Sequence, residues 1–240
     1  MKVILDREGL RRRATRSHAA SLGGLLIVLS SVAISLWKPA WTTLTTILLF
    51  GGFSLAVVGI YYANRWVKKP RPEEVLDQAL KGLSDQHRLY HYCLPCDHVL
   101  LTTAGLVVLE ICSLEGQFSY RNGKWRQKIT AGRAMRFFVE EKLGDPIARA
   151  QDCSLAIKEQ IASYLPEGAN VPVQAMVVFT NPSAELEIEQ PAAPVCLPKK
   201  LRGRLPKGQG KLASSIYQLL REKLDESAAR ANAHEERSAR

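Results

Sequence analysis

Two uncharged apolar runs, Ala19 to Trp37 and Trp41 to Ala63, stand only three residues apart near the start of the chain. Each is long enough to cross roughly 30 Å of hydrocarbon as a helix. The linker Lys38-Pro39-Ala40 leaves room only for a tight turn, so the two runs read as an antiparallel hairpin. Trp37, Trp41, Tyr61, Tyr62 and Trp66 lie at the run ends, where amphipathic rings suit a membrane interface. Arg7, Arg11, Arg12, Arg13 and Arg16 precede the first run; Arg65, Lys68, Lys69 and Arg71 follow the second. The turn carries Lys38 alone, so the positive-inside rule puts both termini in the cytoplasm. A cleaved signal peptide fits less well: the first run is long for an h-region, lacks a small-x-small site and is followed by a second span. The expected location is a bacterial-type inner (plasma) membrane, crossed twice. Gly23-Gly24 and Gly51-Gly52 would let the helices approach closely. Glycine is also simply frequent in membrane helices.

The net charge of +10 suggests an anionic partner until its distribution is examined. Residues 1–71 hold 11 Lys and Arg against 2 acids, and the rest 22 against 21, leaving +9 and +1 respectively. The remainder of the chain is therefore not a generally basic nucleic-acid binder. Five unevenly spaced cysteines in a domain facing a reducing compartment do not predict disulfides.

Beyond Pro70-Arg71-Pro72 the periodicity changes to that of a folded α/β domain. Glu73 to Leu83 reads as a helix with Leu76, Leu80 and Leu83 on one face. Arg88 to Leu94 alternates like a strand, and Val99–Thr103 with Leu106–Ile111 reads as a hairpin around Ala104-Gly105. Asn122-Gly123 marks a second hairpin. Asp145-Pro146 resembles a capped helix start leading to about Tyr164. A buried strand follows over Val171 to Thr180, then a Pro-rich connection from Pro182 to Pro206. An amphipathic helix runs from Lys211 to about Arg230. The expected class is a three-layer α/β domain with a mixed sheet. Four segments result: a basic cytoplasmic tail over 1–18, the transmembrane hairpin over 19–66, the α/β domain over 73–206, and an amphipathic helix with a polar tail over 207–240.

The stretch "CDHVLLTTAGLVVLEIC" carries the candidate chemistry. Period-2 alternation sets Glu110 on one face with Leu106, Val108 and Cys112, and the hairpin brings Asp97 across from it. Two such carboxylates suit Mg²⁺ or Mn²⁺, which prefer oxygen ligands. Equally, both could sit at solvent-facing strand ends and pair with Arg or Lys.

This order of elements resembles the NERD (nuclease-related) domain, a branch of the PD-(D/E)xK nuclease superfamily. The resemblance rests on Glu73 in "PEEVLDQAL", Asp97 in "CDHVLL", Gly105, Glu110 in "VVLEIC" and the later "VVFTNPSAELEIE". It implies a restriction-endonuclease-like mixed sheet flanked by helices and a site in which Asp97 and Glu110 hold the metal while Glu73 assists. The family's lysine, two residues after the glutamate, falls on Cys112, which cannot supply a fixed positive charge. "DPIAR" puts Arg149 where the family has glutamine, and Pro72 replaces the "GE" ahead of the first helix. These departures point to a degenerate nuclease that binds nucleic acid or a protein partner without efficient cleavage. One alternative is an active Mg²⁺-dependent nuclease in which Lys124, Lys128 or Lys142 replaces the missing lysine. Another is a structural membrane scaffold. The oligomeric state is not readable.

Two further clusters remain. Arg121, Lys124, Trp125, Arg126 and Lys128, followed by Arg133 and Arg136, form an acid-free stretch with interleaved aromatics. It suits DNA or RNA, or the headgroups of the lipid bilayer, or plain solvation. Lys199, Lys200, Arg202, Arg204 and Lys207 allow the same readings. His87, His91, Cys93, Cys96 and His98 offer zinc-ligand types at a Cys-x-x-Cys spacing, but no second Cys-x-x-Cys completes a structural site. In a strand, Cys93 and Cys96 would face opposite sides, and no helix start follows to activate either thiol.

Overall fold

The computed structural model describes residues 1–67, 69–128, 143–206 and 210–237. Lys68, Arg133, Arg136, Lys142 and Lys207 lie outside these described residues. The chain divides into two compact units. Among described residues, one unit takes in 9–67 and 69–71; the other takes in 1–8, 72–128, 143–206 and 210–237.

The smaller unit is a helical hairpin. Helix α1 (Arg7–Trp37) and helix α2 (Thr42–Trp66) are joined through a 3₁₀ turn at Pro39–Trp41. Both are long and apolar enough to cross a membrane. Their buried positions recur every seventh residue: Leu10, Ser17, Gly24 and Ser31 on α1, and Thr45, Gly52, Gly59 and Trp66 on α2. A seven-residue repeat keeps one seam in register along a slightly supercoiled pair. The seam is built mostly of small residues, so the two backbones nearly touch. A Cβ on Gly24 would strike the backbone of Ala56 and lie 2.7 Å from the Gly52 carbonyl oxygen, and one on Gly59 would strike Ser21. Gly23 and Gly51 face open space, so only one glycine of each expected pair serves the contact. The large apolar side chains point outward, among them Leu22, Leu26, Leu29, Ile47, Phe50 and Phe53. This distribution is the reverse of a water-soluble hairpin.

The larger unit is an α/β domain with two sheets. The first has six strands in the order β1-β2-β3-β4-β7-β9: β1 (Lys2–Leu5), β2 (Arg88–His91), β3 (His98–Thr102), β4 (Gly105–Cys112), β7 (Val173–Phe179) and β9 (Val195–Cys196). It is mixed: β2-β3-β4 is an antiparallel meander, while β1, β7 and β9 each join in parallel. Two-residue alternation divides the sheet's side chains between two cores. Tyr90, Val99, Leu101, Leu106 and Val108 meet Ile157 and Ile161 of helix α4 (Pro146–Ala162) and Leu220 and Leu224 of helix α6 (Ser214–Arg237). On the other face Leu89, Leu100, Val107, Leu109 and Met176 meet helices α3 (Pro72–Ala79) and α5 (Pro198–Arg204).

The second sheet has the order β6-β5-β8, formed by β5 (Gly116–Arg121), β6 (Lys124–Lys128) and β8 (Ala184–Ile188). Asn122 (φ 51°) and Gly123 (φ 74°) make the two-residue turn between β5 and β6, as the dipeptide predicts. At the β3–β4 turn, Gly105 has φ 140°, and a Cβ there would strike the Pro172 carbonyl oxygen that accepts from Leu106 N–H at 2.9 Å. Asp145 caps α4 by accepting from the N–H groups of Ile147 and Ala148, with Pro146 in the first turn.

The structure revises the expected segments at both ends. Lys2–Leu5 pairs with β2 as an edge strand, so the first residues are not merely a basic tail. Helix α6 supplies core residues, so it is a layer of the domain rather than an appendage. Asp225 on α6 accepts hydrogen bonds from buried Arg88 and from the Tyr90 hydroxyl, which fastens the helix to β2. The connection over 182–206 contains β8, β9 and α5, which its prolines conceal from a periodicity reading.

Candidate functional site

Alternation on β4 places Glu110 on the α4 side of the sheet with Leu106 and Val108. The β3–β4 ladder pairs Val99 with Val108; Glu110 lies two residues beyond it on β4, and Asp97 two residues before Val99. Asp97 is exposed in the bend that enters β3. Both carboxylates act electrostatically on the thiols of Cys96 and Cys153, so the four groups share one neighbourhood.

Glu110 is met by a cation from α4. Arg149 Nε donates to Glu110 Oε1 at 2.7 Å, and Arg149 Nη1 donates to the Leu143 carbonyl at 3.1 Å. The side chains of Arg149 and Glu110 are 43% and 21% exposed. The two charged side chains come together from α4 and β4, 39 residues apart in the chain. The sequence marks Arg149 only as a departure; the pairing needs α4 to lie beside β4.

Cys112, two residues on, is 4% exposed and packs in a cluster with Leu114, Phe118, Ile147 and Phe179. Cys112 is thus part of an apolar core. Lys124 and Lys128 belong to β6 in the other sheet, on its exposed face. Glu73 is 3% exposed in the first turn of α3, the helix that covers the opposite face of the main sheet. It is linked to the bend through Tyr92, whose hydroxyl donates to Glu73 Oε2 at 3.2 Å and whose backbone N–H donates to the Asp97 carbonyl at 2.7 Å. Tyr92 has φ 60°, an uncommon conformation for a bulky residue, and it opens the bend over 92–97.

That bend rearranges the Cys/His cluster. His91 and His98 face each other with Nδ1 atoms 2.7 Å apart, and Asp77 Oδ1 lies 3.2 Å from His91 Nε2. Cys93 and Cys96 belong together to the core on the other face, because residues 92–97 bend and do not alternate as a strand. Cys93 donates to the His91 carbonyl at 3.0 Å, while His87 bonds Ser84. Cys96 donates to the Cys153 carbonyl at 3.2 Å, and both side chains pack in the same cluster. The neighbouring Cys153 side chain, then burial, pushes Cys96 well above the usual thiol range, while the Cys96 side chain draws Cys153 below it.

Among the described residues, no group of three or more His, Cys, Asp or Glu side chains is arranged to hold a metal ion. Glu110 is engaged by Arg149, and Asp97 lies exposed in the bend.

The basic stretch also divides between two faces. Arg121, Lys124, Arg126 and Lys128 share the outer face of the β6-β5-β8 sheet. Arg121 is held by Glu187 at 3.6 Å and Glu189 at 3.1 Å. Trp125 turns to the opposite face, against Tyr120 and Phe179 with ring centroids 5.0 and 5.8 Å away. Period-2 alternation separates it from the cations, so it is no stacking platform beside them.

No curated protein matches the chain. No solved structure matches it either. Residues 70–180 match the model of one family, NERD, the nuclease-related domain. That span runs from the start of α3 through β7 and contains Glu73, Asp97, Glu110, Cys112 and Arg149. Residues 70–180 of this chain are therefore a nuclease-related domain of the NERD family.

Proposed function

We propose that this protein is a membrane-anchored, degenerate nuclease-related domain that binds nucleic acid or a protein partner without efficient cleavage. The Arg149–Glu110 ion pair carries this reading. A carboxylate whose charge is neutralised by a fixed guanidinium competes poorly for Mg²⁺ or Mn²⁺, hard ions that need oxygen ligands carrying negative charge. The buried, apolar setting of Cys112 supports the same conclusion, because it provides no place for a lysine at the reacting phosphate.

The anchor reading is supported by the hairpin's inverted pattern, with Gly, Ser and Thr at the seam and Leu, Ile and Phe outside. Lipid tails are as apolar as leucine, so close packing of small residues suits helix association there. The cation distribution favours a two-pass topology with both termini cytoplasmic in a bacterial-type inner membrane.

For nucleic acid, the contact surface we favour is β6, where Lys124, Arg126 and Lys128 are exposed. Arg121 is engaged by two glutamates and contributes less.

One observation favours a second reading. In an active enzyme with a relocated cation, Arg149 is the candidate, since its guanidinium is already at the carboxylate. The test uses the full chain in detergent with labelled DNA and RNA, with Mg²⁺ or Mn²⁺ and with chelator. Expected is salt-sensitive binding without cleavage, weakened by neutralising Lys124, Arg126 and Lys128 and unchanged by Glu110→Gln. Metal-dependent cleavage lost in both Glu110→Gln and Arg149→Gln would establish the second reading. Absence of both binding and cleavage would leave the protein-partner and membrane-scaffold readings.

A further inference from the structure

We propose that Cys96 and Cys153 form a dithiol oxidation site, closing reversibly into a disulfide that ties the bend over 92–97 to helix α4. Cys96 lies in the bend and Cys153 on α4, 57 residues apart in sequence, yet the Cys96 thiol donates to the Cys153 carbonyl at 3.2 Å. Both side chains also pack in the same apolar cluster. None of the five cysteines is in a disulfide, and the other three are directed elsewhere. Cys93 donates to the His91 carbonyl, Cys112 packs against Phe118 and Phe179, and Cys196 lies in the core beneath α3 and α5. Cys-x-x-Cys adjacency in sequence would pair Cys93 with Cys96; the fold pairs Cys96 with Cys153 instead.

The placement also gives the bond a consequence. Arg149 and Cys153 are one helical turn apart on α4, and Asp97 directly follows Cys96. A disulfide would clamp the two sides of the Asp97–Glu110–Arg149 arrangement, whichever chemistry those groups perform.

The co-reactant is a low-molecular-weight disulfide, with glutathione disulfide as the probe. Cys153 is half-buried and Cys96 only 3% exposed, so Cys153 meets the reagent first. The Cys153 thiolate attacks one sulfur of glutathione disulfide; that S–S bond breaks, and the first glutathione leaves and takes up the Cys153 proton. The Cys96 sulfur then attacks Cys153 Sγ in the mixed disulfide and expels the second glutathione, which takes up the Cys96 proton. Two protein thiols are oxidised and one glutathione disulfide is reduced to two glutathiones.

The test treats the full chain in detergent with a graded ratio of oxidised to reduced glutathione. Remaining thiols are then alkylated under denaturing conditions, and cross-linked peptides are mapped by mass spectrometry. Expected are loss of two alkylatable thiols of the five, one intramolecular Cys96–Cys153 peptide, and full recovery with dithiothreitol. Cys153→Ser should abolish the cross-link with an unchanged circular dichroism spectrum, while Cys93→Ser and Cys112→Ala should leave it intact. A Cys93–Cys96 peptide, an intermolecular bond through Cys153, or five thiols alkylated throughout the range would each overturn the proposal. Mapping on the unmutated chain decides the matter even where a variant fails to fold.

Discussion

The Arg149–Glu110 pair is best tested by a double-mutant cycle, because its strength decides whether the carboxylate is held or available. The guanidinium Nε lies 2.7 Å from Glu110 Oε1, with the side chains 43% and 21% exposed. A fully exposed pair couples by about 0.2–1 kcal/mol, whereas a hydrogen bond to a charged group contributes about 1.5–3 kcal/mol. Partial exposure on both sides, discounted for solvent screening, places this coupling at about 1 kcal/mol. Arg149→Gln should cost more than Glu110→Gln, by about 0.5–1 kcal/mol, since it also removes the bond to the Leu143 carbonyl. The assay is urea unfolding of the full chain in detergent, followed by circular dichroism, for wild type, Glu110→Gln, Arg149→Gln and the double variant. The expected result is a double variant less destabilised than the sum of the singles, by about 1 kcal/mol, with an unchanged urea slope. Additivity within about 0.3 kcal/mol would show that the two residues do not hold one another, and the argument for a neutralised carboxylate would fail.

Three other expectations concern the fold. Gly24→Leu and Gly59→Val should disrupt the hairpin, because each added side chain meets backbone, while Gly23→Val and Gly51→Val should be tolerated; cysteine cross-linking between α1 and α2 distinguishes these outcomes. Asp225→Ala should destabilise the α/β unit by about 2–4 kcal/mol in thermal or urea unfolding, since it leaves buried Arg88 and the Tyr90 hydroxyl without their acceptor. Stability should fall as pH rises into the alkaline range. Burial pushes the Cys196 thiol up to about 11, and burial with the Asp225 hydrogen bond pushes the Tyr90 phenol above its ordinary range. A raised folded-state value contributes stability that is complete below the unfolded value and is lost as pH rises through the folded one. The decline should therefore begin near pH 9 for Cys196 and near pH 10 for Tyr90. A flat unfolding free energy between pH 8 and 11 would contradict the burial of both groups.

Local signals determined a large part of this protein. The two uncharged runs specify the helical hairpin, Asn122-Gly123 its β turn, and Asp145-Pro146 the start of α4, because each acts within a few residues. Alternation along β4 and the short β3–β4 connection likewise determine the pairing of Val99 with Val108 and the face that Glu110 takes, since a hairpin has one register once its turn is set. The seven-residue spacing of Gly52 and Gly59 is present in the chain, but which glycine of each pair is buried depends on how α1 meets α2.

What only the tertiary structure decided is the set of pairings across long separations. Arg149 reaches Glu110 and Cys153 meets Cys96 because α4 packs on one face of β3 and β4. His91 instead meets Asp77 because α3 covers the other face. The first strand and the last helix join the domain through contacts with β2 made at separations of more than 80 residues. No periodicity within a segment encodes which distant element will cover its apolar face. Burial requires only that some layer cover it, and competition among all the apolar faces of the chain selects which one.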